Sequence, residues 1–160
     1  MEYAFLKTEM TQHEMILNQL GADVKIVQGI MCYVSIEING IPVEYVYQIN
    51  NVGNYFLQRL SPYPMVAGSF VSKDEVINLI KHDISQFKNA ANSSAFKDFI
   101  EINKNLTRLA RQFEDLYLYY NVPHDTLQSM NESLKSLDSL IKECKVTSKR
   151  VYFEKDPETV

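Results

Sequence analysis

The chain has 160 residues, a formal net charge of −4, 46% hydrophobic and 22% charged residues, and two cysteines. That length suits one domain with a sizeable core, and that balance excludes a disordered chain. No apolar run reaches the roughly 18 residues a membrane span needs, and the acidic balance argues against a nucleic-acid partner.

The opening Met1-Glu2-Tyr3 has an acidic second residue and no basic lead-in, so no secretory leader is expected. Cys32 and Cys144 are too far apart in sequence to suggest a paired framework and are read as free thiols. Together these points predict a cytoplasmic protein without a membrane partner.

The first element is a helix from Glu2 to Leu20, with Tyr3, Leu6, Met10, His13, Leu17 and Leu20 on one stripe. Gly21 stands where a left-handed C-cap belongs. From Val24 the period changes to two. Ile30, Cys32, Val34, Ile36 and Ile38 face one way; Met31, Tyr33, Ser35 and Glu37 face the other. Asn39-Gly40 follows, suited to a type I′ turn because both positions need positive φ. Pairing about that turn sets Ile38 against Ile41, Ile36 against Val43, Val34 against Tyr45 and Cys32 against Tyr47. One face is apolar and the other mixed.

Asn50 to Asn54 is a second turn, and Tyr55 to Leu60 a third strand that ends at Ser61-Pro62-Tyr63-Pro64. Met65 to Val71 fits either a short edge strand or a loop. Ser72-Lys73-Asp74-Glu75 has the form of a capping box. It opens a helix with Val76, Ile77, Ile80, Ile84, Phe87 and Ala91 on its apolar face.

After the polar break Asn92-Ser93-Ser94 comes a long helix, Ala95 to Tyr120. Phe99, Leu106, Phe113 and Tyr120 recur every seven residues, with Ile102, Leu109 and Leu116 interleaved. Asn121 to His124 turns the chain, and Asp125 suits an N-cap. Leu127, Met130, Leu134, Leu137 and Ile141 form a second seam reaching Cys144. Residues after Val146 read as a tail, with a possible short strand at Val151 to Phe153.

The expected fold is therefore α+β. An antiparallel three-stranded meander in the order α-β-β-β-α occupies residues 1–92. A long antiparallel helical hairpin follows over 93–145, part of the same folding unit, and then the tail, 146–160. The first five elements share their order with double-stranded-RNA-binding domains and, roughly, with small acidic chaperones of secreted effectors. Such an order is a likeness of fold and carries no function. Ser72-Lys73-Asp74-Glu75 also lacks the lysine cluster that begins an RNA-binding helix.

No residue pattern asks for catalysis, a cofactor or a metal. His13 sits on an apolar stripe without a histidine one turn away. His82 reads as helix surface, and His124 as the residue before a cap. Cys32 points into the apolar hairpin face, and Cys144 ends a helix. Phosphate loops, Cys-x-x-Cys, Gly-x-Ser-x-Gly and His-Glu-x-x-His are missing.

The informative surplus is apolar. Tyr33, opposite Val46, suits an exposed partner surface. Ile100, Tyr117, Tyr119 and Tyr120 widen the long helix's stripe beyond what one partner helix covers. The sequence thus predicts a non-enzymatic interaction module, an adaptor, chaperone-like or regulatory protein that binds another protein and forms a homodimer through its helices. One alternative is a nucleic-acid-binding regulator using Lys97, Lys104, Arg108 and Arg111 with the basic tail. Another is a sensor or enzyme with a pocket lined by Tyr45, Tyr47 and Tyr63.

Overall fold

The computed structural model describes residues 2–160, with side chains from Leu6 onward, so the placement of Tyr3 on the first stripe lies outside the described residues. The elements are α1 (Glu2–Gln19), β1 (Gly29–Ile38), β2 (Ile41–Asn50), β3 (Tyr55–Ser61), β4 (Met65–Phe70), α2 (Lys73–Ala90), α3 (Phe96–Tyr119) and α4 (His124–Thr147). The fold is α+β. Its sheet is an antiparallel meander in the order β1-β2-β3-β4.

The meander has four strands, not the expected three, because Met65–Phe70 pairs with β3. Two irregularities hide that strand from a period-two reading. Gly68 adopts φ 111°, and the β3–β4 register shifts between Leu57 and Gln58. The element order accordingly departs from that of double-stranded-RNA-binding domains.

The β1–β2 hairpin forms as its alternation dictates. Asn39 and Gly40 take φ 49° and 75°. Ile38 pairs with Ile41, Ile36 with Val43, Val34 with Tyr45 and Cys32 with Tyr47. At the next turn the Asn50 side chain accepts from the N–H groups of Val52 at 3.1 Å and Asn54 at 2.8 Å. The peptide bond between Ser61 and Pro62, just after this meander's third strand, is cis.

The core lies between the sheet and α2. Ile38, Val43, Tyr45 and Leu57 meet Val76, Ile80 and Phe87 there, and Phe96 and Ile100 from the start of α3 close one end. The capping box forms as expected: Ser72 Oγ accepts from the Asp74 N–H at 3.2 Å, and Glu75 accepts from the Ser72 N–H at 3.2 Å. Asn39 Nδ2 donates to the Ala91 carbonyl at 2.8 Å, tying the hairpin turn to the end of α2.

At the other end of the chain order, α1 closes as Gly21 suggests. Gly21 has φ 81°; its N–H bonds to Asn18 and that of Ala22 to Leu17, satisfying the last carbonyls. Yet α1 leaves Leu6, Met15, Ile16 and Leu20 exposed. Asp125 lies within the first turn of α4 and not at its cap, which is Pro123. As an acid in a first turn it still opposes the positive end of the helix dipole. The tail forms no strand at Val151 to Phe153.

Candidate interaction surfaces

The rigid frame beneath the surfaces is a buried polar knot. Arg59 on β3 is 3% exposed on the inner face of the sheet, paired with Tyr45 on β2. A guanidinium at that position needs a buried anion, and α2 supplies Asp83 one turn from Ile80 and from Phe87. The Arg59 guanidinium also lies over the rings of Tyr63, at 4.4 Å, and Phe87, at 4.9 Å. Tyr63 in turn meets Phe99 edge-on at 5.9 Å. Burial, and then the hydrogen bond to Asp83, push the Tyr45 hydroxyl far above the ordinary phenol range. Burial likewise raises Tyr63.

Of the three tyrosines expected to line a pocket, two are packed into this knot and Tyr47 is half-buried on β2. Tyr45 is 1% exposed, and Tyr63 is stacked among Arg59, Phe87 and Phe99. Two surface depressions lie elsewhere. One of about 340 Å³ sits at the end of the sheet, between Val27, Gln48, Phe56, Ser69 and Val71. Another lies between α2 and the tail, at Ser85, Asn89, Tyr152 and Glu154.

One open surface is helical. Ile100 is 4% exposed and belongs to the core, so it is not part of that surface as the sequence suggested. Beyond it α3 leaves the body of the fold. Ile102, Leu106, Leu109, Phe113 and Tyr117 stand roughly half-exposed along the helix, and Tyr119 and Tyr120 are more exposed still. The seam of α4 is open at Leu134, Leu137 and Ile141, and no residue of α4 is fully buried. Leu116 on α3 and Leu127 and Met130 on α4 are half-buried near the turn that joins the two helices, whereas Leu109, Phe113, Leu134 and Ile141 stay open, so the two seams are covered only in part.

A second surface is the outer face of the sheet. Register places Tyr33, Val46, Gln58 and Val66 in one row across all four strands. Met31, Gln48, Phe56 and Ser69 form the neighbouring row. The pairing of Tyr33 with Val46 is therefore as expected, and Tyr33, Met31, Phe56 and Val66 are all exposed. The Tyr33 hydroxyl donates to Glu44 Oε1, which raises its pKa above the ordinary value. Met31, Phe56 and Val66 extend the patch that sequence reading confined to Tyr33 and Val46. Their signal was present: large apolar residues at the wet positions of a period-two pattern.

Two of the basic tail residues are already occupied. Arg150 pairs with Asp156 at 2.8 Å and Lys155 with Glu158 at 2.6 Å. Arg150 also donates to the carbonyls of Tyr152 and Lys155, curling the tail on itself, and Ser85 Oγ donates to Glu154 at 3.1 Å. On α3, Arg108 is engaged by Gln112 and Asn105. Cys32 is half-buried, Cys144 is exposed, and both are free thiols. Among the described residues no His, Cys, Asp and Glu side chains gather into a metal-binding group, and no helix is long and apolar enough to cross a membrane.

Comparison with known proteins gives no match, whether to a family model, a curated protein or a solved structure.

Proposed function

We propose that this chain is a non-enzymatic, cytoplasmic protein–protein interaction module, adaptor-like or chaperone-like, that works as a homodimer joined through its helices. The observation that carries the reading is surface area. The chain exposes 12717 Å². A compact monomer of 18.5 kDa exposes about 8,200 Å² by the size scaling of folded proteins. The excess, about 4,500 Å², is larger than the roughly 1,000–2,500 Å² that each subunit of an obligate dimer hides. It is also apolar in the right places: the stripe of α1 and the seams of α3 and α4. A second copy accounts for much of it, and the outer sheet face around Tyr33 remains for a different protein.

The test is native mass by light scattering at micromolar concentration, on the wild type and on the double variant Leu109→Asp, Phe113→Asp. Both positions lie on the open seam, far from the core, so the sheet should keep its fold. The expected result is a dimer that the double variant dissociates. A wild type that runs as a single chain overturns the reading.

A further inference from the structure

The two edges of the sheet are built differently. β4 is six residues long, carries Gly68 at φ 111°, and meets β3 through a register shift. Each of these features discourages pairing with another strand. β1, at the opposite edge, has none of them. It is ten residues long, and its register with β2 runs unbroken from Gly29 to Ile38. It contains no proline and no lysine, and Glu37 is its sole charge.

The hairpin turn decides which backbone groups face outward. A two-residue turn makes Ile38 and Ile41 a hydrogen-bonded pair, so the even-numbered residues of β1 bond to β2. Met31, Tyr33, Ser35 and Glu37 then direct their N–H and C=O groups away from the sheet. Among the described residues, none of these four has a backbone partner outside the β1–β2 ladder. The apolar face of β1 is also incompletely covered. Cys32, Val34 and Ile36 are only half-buried, and Ile30 is 68% exposed.

We infer that the outer edge of β1 pairs antiparallel with β1 of a second copy, joining two four-stranded sheets into one. The inference rests on the self-association proposed above and names a contact additional to the helical one. A second copy fits this edge for reasons of symmetry and charge. Antiparallel pairing of a strand with itself is a two-fold contact, in which the same patch serves both subunits. Outward-facing residues must pair with outward-facing residues, so the centres giving greatest overlap are Tyr33 and Val34. Centring on Val34 sets Glu37 against Met31; centring on Tyr33 sets it against Gly29. Neither brings the two carboxylates together, and both cover Val34 and Ile36 with a neighbouring strand.

The test is amide hydrogen exchange by NMR on the wild type, with Ser35→Pro as the variant. Proline is tolerated where an edge strand's N–H faces solvent, so a free edge accepts this change. Pairing predicts that the Met31, Tyr33, Ser35 and Glu37 amides exchange slower than free amides by about two orders of magnitude. It also predicts that Ser35→Pro weakens the dimer by at least about tenfold while Val34 and Ile36 stay protected by β2. A dimeric wild type whose four outward amides exchange freely overturns this inference and leaves the helical dimer standing. So does Ser35→Pro at unchanged dimer affinity. A monomeric wild type overturns both. If Ser35→Pro fails to fold, the wild-type exchange pattern decides alone.

Discussion

Nη1 of Arg59 lies 2.8 Å from Oδ1 and 2.9 Å from Oδ2 of Asp83, and the Tyr45 hydroxyl donates to the same carboxylate from 2.7 Å. Three elements, β2, β3 and α2, thus meet on one anion. The arrangement fixes how α2 sits on the sheet. No buried side-chain nitrogen or oxygen among the described residues is left without a partner.

Removing one member of that pair strands the other. Arg59→Ala leaves a carboxylate in a site only 12% exposed. It should cost about 3–5 kcal/mol in urea denaturation. The double variant Arg59→Met, Asp83→Leu should cost markedly less than the sum of the two single changes, because it buries no lone charge.

Tyr45 couples the same site to pH. Its pKa, like that of Tyr63, is raised in the fold, so the neutral phenol is the favoured form. For a raised pKa the stabilisation is complete below the unfolded value near 10 and is lost as pH climbs toward the folded one. Stability should therefore be insensitive to these groups at neutral pH and fall from about pH 10 upward. Tyr45→Phe should cost about 1–3 kcal/mol at pH 7, for the lost bond to a carboxylate, and flatten the alkaline decline. Denaturation curves at neutral and alkaline pH separate the two effects.

Gly29 opens β1 against the carbonyl of Ile49, and a Cβ there would collide with that backbone oxygen. Backbone on a paired strand cannot move aside cheaply. Gly29→Ala should destabilise by about 1–3 kcal/mol and fray the first pairs of the hairpin, seen as faster amide exchange at Ile30.

Ser72 caps α2 through the reciprocal pair with Glu75. Ser72→Ala should cost about 1 kcal/mol, and Ser72→Asp should retain most of the stability, since aspartate caps equally well. Thermal unfolding of the two variants side by side checks this.

The hairpin from Ile30 to Ile49 was legible in the sequence because two signals agreed: strict alternation, and an Asn-Gly pair that permits one register. β4 was not, because Gly68 and the neighbouring bulge erase the alternation that would announce it. Arg59 was half-legible. Alternation from Tyr55 and Leu57 puts it on the inner face, and Asp83 falls at helical spacing between Ile80 and Phe87. A charge at an inner position on each element is a request for the other, but only the tertiary arrangement shows the two meeting. The seams of α3 and α4 were read correctly as helices. Whether such stripes close on each other, on the sheet or on another chain depends on how α3 leaves the core after Ile100, and periodicity carries no information on that.

The unequal edges of the sheet also limit growth. A sheet open at both edges can add copies without end, whereas here the short, irregular β4 discourages pairing and β1 is the edge left open. If the joining is a two-fold contact, each addition consumes the open edge of both partners, and the blunt β4 edges face outward at the two ends. Assembly through the sheet would stop at two chains. A long unprotected strand, ordinarily a hazard for fibre formation, would here limit how far the sheet itself can grow.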